Sequence, residues 1–464
     1  MNTSYATAPG RLPGVGHAAA LMRSPLRFLT SLRDHGDLVR VDLGPMPSLF
    51  VTSPPLIHTL LTDRKDLLDK GRFYDKVRPL TGNGVIHAYG DEHRRQQAMI
   101  KPSFHRDEIT RYVEVMREVT EEKSAGWRAG AEIPVDRAMR DITFNILART
   151  MFGSVVGRDA HEELAGILPT VLEAIMWRTV SPGDLMEKLP LPMNRRFDRA
   201  FAQLRDTISR VMLAYRQGAA EPGRAGMLAM LLEARDEETG LGMTDEELCN
   251  QIVSVTMAGS ETAATAMAWL FYELARHPEI ERRVREEVQE VVGERDFTMA
   301  DVGNLPYSRR VLQEVMRVRQ PILVISRRAV RDFPLGTGSV KAGTELFYSP
   351  YAVHRDPEFF PDPLRFDPDR WLERPAASLP KGAYTPFGAG PRHCIGEQFA
   401  WAMMHVVLGT VVRRWRLTLP DGVTVREMPW ATVNPNHMPM RAEPVLAEDA
   451  PGEDVPGEGA ASCP

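Results

Sequence analysis

Cysteine is scarce in this chain: its 464 residues include only Cys249, Cys394 and Cys463. No two are spaced as a CxxC pair, which argues against zinc ribbons and iron–sulfur clusters. An odd count without a secretion-type leader points to a reducing cytoplasm. An excess of one charge sign is missing too. The net charge is −5, so no basic field marks a nucleic-acid partner. Met1 to Pro13 holds no apolar run, and no membrane anchor is expected. One long stretch, 252–270, is almost wholly apolar or small, but Glu261 sits in its middle. A charge there costs about 3 kcal/mol on insertion scales. With its many Ser and Thr residues, the stretch reads as a buried central helix rather than a membrane span.

What is present centres on Phe387-Gly388-Ala389-Gly390-Pro391-Arg392-His393-Cys394-Ile395-Gly396. A single cysteine lies in a glycine-rich loop, and the apolar run from Phe399 to Trp415 predicts a helix directly after it. The spacing puts Cys394 at that helix's N-terminus, where unpaired N–H groups and the helix dipole favour a thiolate. Gly388, Gly390 and Gly396 allow tight turns and close approach to a flat ligand. The plainer reading is a structural cysteine in a turn. Upstream, Thr244 to Glu247 spells a capping box. The helix it opens runs to His277-Pro278, about 32 residues or roughly 48 Å at 1.5 Å per residue. Its centre is Ala258-Gly259-Ser260-Glu261-Thr262. A hydroxyl beside a carboxyl suits proton delivery; alternatively the threonine bonds its own helix backbone. Glu314 and Arg317 share a helical face, and alone they read as an ordinary surface ion pair.

In this order, these motifs resemble those of the cytochrome P450 family: Ala/Gly-Gly-x-Asp/Glu-Thr, then Glu-x-x-Arg, then Phe-Gly-x-Gly-x-Arg-x-Cys-x-Gly. The resemblance implies a mainly α fold with a smaller β region. Residues 1–443 would form a single catalytic domain, and 444–464 an acidic, Pro/Gly-rich disordered tail. It implies heme b (iron protoporphyrin IX), with the Cys394 thiolate as axial ligand of the iron and Phe387, Gly388 and Gly396 shaping the loop. Ala258 and Gly259 would make room for dioxygen, Thr262 would donate a hydrogen bond to it, and Glu261 would relay protons from water. His93, Arg327 and Arg392 would hold the haem propionates. The family often places His-x-x-x-Arg where this chain has His93 and Gln97, and glutamine cannot neutralise a carboxylate. Arg94 or Arg95 is the alternative. Arg370, within Phe366–Trp371, would add a second arginine to Glu314–Arg317 and form a buried lock.

The resemblance also marks a substrate pocket. Leu38 to Leu43 and Leu49 to Thr52 read as a β-hairpin. Arg72 to Tyr89 reads as a loop lining the pocket with Phe73, Tyr74, Val77, Val85 and Ile86. Ile175 and Met176 would belong to a lid, Ile322, Leu323, Val324 and Ile325 to a wall, and Asn436 and His437 to the last turn. These segments carry few charges, which suggests an apolar small molecule. The segments near residues 35, 191 and 349 resemble bacterial terpene-oxidising members, implying monooxygenation of a terpenoid such as a cyclic sesquiterpene. Fatty acids and polyketides stay open, with Arg72 and Tyr74 as an anchor for a fatty acid. A haem protein that binds ligand or transfers electrons without oxygenating is the alternative of a different class; Glu261 and Thr262 speak against it. No stretch is left for a fused flavin or iron–sulfur module. Electrons are therefore expected from a separate ferredoxin and its NAD(P)H-dependent reductase, with the protein a cytoplasmic monomer.

Overall fold

The computed structural model describes residues 5–445, apart from 45, 154–162, 164–165, 168–169, 172, 175–188, 190, 219–225 and 431. The expected lid residues Ile175 and Met176 lie outside the described residues.

Helices form most of the structure, and the longest is Asp245–Arg276, with 32 residues. Its start is fixed by the capping box: the Glu247 N–H donates to Thr244 Oγ1 (3.2 Å) and the Thr244 N–H to Glu247 Oε2 (2.8 Å). Two of the helix's orphan donors are thereby satisfied. The helix is buried on every side from Leu248 to Val255 and again from Ala263 to Phe271. Helices Arg106–Ala125, Val135–Phe152 and Glu397–Val412 share the main core with it. Helix Pro192–Arg216 covers a second core around Phe144 and Ile252.

The β part is small. Its strands are β1 (Ala6–Thr7), β2 (Leu38–Arg40), β3 (Ser48–Val51), β4 (Leu68–Asp69), β5 (Glu132–Pro134), β6 (Ile325–Ala329), β7 (Phe333–Leu335), β8 (Gly338–Val340), β9 (Glu345–Tyr348), β10 (Trp415–Thr418), β11 (Glu427–Pro429), β12 (Val433–Pro435) and β13 (Pro439–Pro444). The main sheet has the order β1-β2-β3-β9-β6-β4. The expected hairpin is there, β2 and β3 pairing antiparallel with Leu38 opposite Val51. At the other edge Asp69 pairs with Arg328. That register brings Lys70 beside Arg327.

Two expectations are corrected. Arg72–Thr81 is a helix rather than a loop, although Pro79 lies inside it. Pro79 falls in the final turn, so only one late backbone bond is lost. The tail also begins later than expected, because Pro444 pairs with Trp415 and the Val445 N–H donates to the Arg414 carbonyl. Among the described residues no helix is long and apolar enough to cross a membrane.

Candidate active site

The cysteine loop is shaped by backbone demands. Gly388 and Gly390 have φ of +75° and +67°, the left-handed region that glycine enters freely. A Cβ on Gly390 would also come within 2.2 Å of the Leu61 carbonyl oxygen. The Cys394 N–H donates to the Phe387 carbonyl (2.9 Å), and the Phe387 ring packs on Trp401. The helix begins at Glu397, with Gly396 as its N-cap. Cys394 therefore lies just before the helix, and its electrostatics differ from the expectation. Burial pushes the thiol up to about 11; the Gly396 N–H opposes this, while the Glu397 charge adds to it. Enclosed as it is, Cys394 remains accessible to a small probe, so it borders a cleft inside the protein. The scaffold alone favours the neutral thiol, and a thiolate here needs a bound metal cation as counter-charge.

A cationic cluster supplies the second half of the site. Lys70, His93 and Arg327 are buried. Burial holds the Lys70 amine well below its ordinary value, with Arg327 and Arg392 adding repulsion. Arg392 is lowered to about 10 by burial and by Arg327, and its Nη1 is buried without a partner. His93 is lowered to about 3 by burial, then by Arg392, Lys70 and Arg327. So many mutually repelling cations, one with an orphaned donor, fit a ligand with carboxylates. Cys394 and this cluster together fit iron protoporphyrin: a soft thiolate ligand for iron and donors for its propionates. Sequence reasoning missed Lys70. Its signal was faint, one basic residue after a two-residue strand.

Gln97 donates to the Pro391 carbonyl (3.3 Å) and so braces the cysteine loop. Neither neighbouring arginine takes the vacant role: Arg94 pairs with Asp91 and Arg95 with Glu247. Tyr74 turns out to flank the cluster, with Lys70 Nζ 4.7 Å from its ring centroid.

On the long helix, Ala258 is exposed and Met257 and Gly259 are partly so, between the two buried runs of the helix. The Thr262 hydroxyl donates to the Ala258 carbonyl at 2.6 Å. While it does so it offers only lone pairs to the cleft; to donate there it must release Ala258. Gly259 corrects an expectation. A Cβ there would meet Leu147 Cδ1 and Cδ2 at 3.0 Å, so the missing side chain admits helix Val135–Phe152 rather than a ligand. Glu261 reaches neither Thr262 nor the cysteine loop. Its Oε1 accepts from Asn434 Nδ2 at 2.7 Å, and Arg140 Nε stands 3.9 Å from Oε2.

Behind the loop, Glu314 and Arg317 are both fully buried. That excludes the surface ion pair. Arg317 is bidentate to Glu314 (2.9 and 2.7 Å) and also donates to the His354 and Pro363 carbonyls. Arg370 Nε donates to the same carboxylate at 3.2 Å.

The pocket candidates scatter. Val77 and Val85 are buried and Phe73 is exposed. Ile86 packs against the second core. Val85's N–H donates to Gln251 on the long helix (2.8 Å), docking that segment there. Ile322 bridges to Thr432. Leu323 and Val324 pack against the core around Phe28 and Phe50, and Ile325 against that around Leu346. Asn436 corrects another expectation: its Oδ1 accepts from the Arg426 N–H (2.8 Å) and its own N–H donates to the Arg426 carbonyl (3.0 Å), so it ties together the open end of the β11–β12 pair. His437 is exposed and faces Asp136. An apolar cavity that sequence reasoning missed is lined by Phe144, Ala148, Phe152, Leu204, Val253 and Met257. Its signal was the i, i+4, i+8 spacing of the first three, which shares one helical face.

The chain matches the family model described as Cytochrome P450 over residues 7–437. It is 39% identical to cyclooctat-9-en-7-ol 5-monooxygenase of Streptomyces melanosporofaciens, over 94% of this chain and 95% of that one. It is 34% identical to pentalenene oxygenase of Streptomyces avermitilis, over 94% and 96%. Among solved structures, the heme domain of cytochrome P450DA has a TM-score of 0.85 at 22% identity, covering 96% of this chain and 99% of that one. That likeness concerns the fold.

Proposed function

The chain belongs to the cytochrome P450 family and is a haem-thiolate monooxygenase; from that premise we propose that its substrate is a terpenoid and that Cys394, Thr262 and Glu261 carry the chemistry. The observation that carries the substrate reading is the pair of relatives named for oxygenating terpenoids at 34–39% identity.

Cys394 would hold heme b, with Lys70, His93, Arg327 and Arg392 as the donors for its propionates. When bound, it supplies the oxidising power that puts one oxygen atom of dioxygen into a C–H bond, the other leaving as water. The chain's own residues do the rest. Apolar side chains beside the cleft orient the substrate and exclude bulk water. Thr262 and Glu261 move protons, Glu261 taking them from water and Thr262 passing them into the cleft. Glu314, Arg317 and Arg370 brace the backbone behind the cysteine loop. The chain through the end of β13 acts as one catalytic unit, and electrons come from a separate ferredoxin and its reductase.

An optical titration of the purified ferric protein tests this. A Soret band is expected, moving to the high-spin position with cyclic sesquiterpenes. A shift with fatty acids alone keeps the enzyme and overturns the substrate. Cys394→Ala is expected to abolish the red-shifted Soret band of the reduced carbon monoxide complex, the signature of thiolate ligation.

A further inference from the structure

The Glu261 carboxylate ends where three elements meet. Asn434 Nδ2, from β12, donates to Oε1 at 2.7 Å, and also lies 2.8 Å from Thr432 Oγ1. Asn434 Oδ1 accepts from the Thr265 hydroxyl at 2.5 Å. Glu261 and Thr265 are one turn apart, so one face of the long helix grips both ends of a single amide. Ala258 and Thr262 share a different face. Arg140, from helix Val135–Phe152, stands on the solvent side: its side chain is 44% exposed, against 22% for Glu261.

The strand that carries the amide is held on both sides. The Val433 N–H donates to the Pro321 carbonyl (2.8 Å), and the Val433 carbonyl accepts from Trp269 Nε1 (2.7 Å). On the paired strand, Glu427 is held by Arg319 (2.8 Å) and Arg355 (2.6 Å). Glu261 reaches from the long helix to this rigid hairpin.

We propose that Asn434 is a positioning residue that holds Glu261 outward as the charged carboxylate and lets it go when it is protonated. This rests on the reading of Glu261 as a proton carrier. A hydrogen bond to a carboxylate is roughly twice as strong as one to a neutral acid. Water at the Arg140 side that protonates Glu261 therefore weakens the Asn434 and Arg140 contacts together. The neutral acid swings toward Thr262, gives up its proton there, and returns as the carboxylate to Asn434. The amide does not titrate, so the anchor holds across the working pH range. Among the described residues Arg140 is the charged group in reach of Glu261; one turn earlier on the same helix, Asp136 faces His437 at 3.9 Å.

The test measures hydrogen peroxide formed per NADPH by the holoenzyme with a ferredoxin and its reductase, dioxygen and no organic substrate, in water and in deuterium oxide. Peroxide takes two electrons and two protons from each turnover, so a failing proton supply changes its share and the solvent isotope effect. Glu261→Gln is the reference and should raise the peroxide share several-fold. Asn434→Leu should approach that value, Thr265→Val should shift it in the same direction by less, and Asn434→Gln, which restores an amide, should recover part of it. If Glu261→Gln shifts the share while Asn434→Leu and Thr265→Val both match the parent, the anchor is refuted and the carrier stands. If Glu261→Gln itself matches the parent, the carrier reading falls and the anchor with it. Should Asn434→Leu fail to load haem, Thr265→Val decides alone.

Discussion

At the scale of single residues, the site is a problem in uncompensated charge. Arg327 and Arg392 depress the proton affinity of Lys70, Arg327 depresses that of Arg392, and His93 is kept neutral beside them. Stacking cations in a buried place destabilises a protein unless an anion joins them. Lys70→Gln should therefore loosen the cofactor more than it harms the fold. A charged hydrogen bond is worth about 1.5–3 kcal/mol, which corresponds to haem loss faster by about tenfold or more. The rate of haem transfer to apomyoglobin measures it, and an unchanged rate would remove Lys70 from the propionate site. Gln97 works differently, since its amide holds the Pro391 carbonyl. Gln97→Ala should soften the cysteine loop without altering the charge.

At the scale of elements, the long helix assigns one task to each of its faces. Ala258 and Thr262 share one face and a hydrogen bond, Glu261 and Thr265 clasp the hairpin, and Gly259 receives helix Val135–Phe152. A side chain at Gly259 must displace Leu147. Overpacking of this kind costs about 1–3 kcal/mol. Gly259→Val should lower the urea midpoint accordingly, and Leu147→Ala in the same chain should restore part of the loss. Absence of rescue would mean that the glycine answers to something other than this helix pair.

At the scale of the whole molecule, buried histidines tie the fold to pH. His354 is lowered to about 3 by burial and by Arg317, and its Nε2 accepts the Thr385 N–H at 3.0 Å. His405 is lowered to about 4, chiefly by burial. Both are neutral in the folded state, whereas the unfolded chain protonates them below 6.5. Their contribution is complete above that value and is lost as pH falls toward 4 and 3, at up to about 1.4 kcal/mol per pH unit for each. Urea unfolding at pH 7 and pH 5 should show the loss, and His354→Gln should flatten it. The Glu314–Arg317–Arg370 group, fully buried at its centre, links the helix that carries it to the segment leading into the cysteine loop.

The sequence by itself determined the elements whose signals are local. The capping box set the start of the long helix, the glycines set the cysteine loop, and alternation set the β2–β3 hairpin. Motif order also identified the axial cysteine, the acid–alcohol pair and the Glu-x-x-Arg lock as candidates. Only the tertiary structure decided which way the side chains faced. It moved Gly259 from the ligand to Leu147, Tyr74 from the pocket to the cations, and Asn436 from the pocket to the open end of the β11–β12 pair. It added Lys70, brought beside Arg327 by the register of β4 on β6, and Asn434, brought to Glu261 by a hairpin 173 positions away in the chain. It also reversed the expected shift of the Cys394 thiol. The reason is physical: helix and turn signals depend on neighbours a few residues apart. Desolvation, charge repulsion and cross-chain hydrogen bonds depend on which distant segments are packed together.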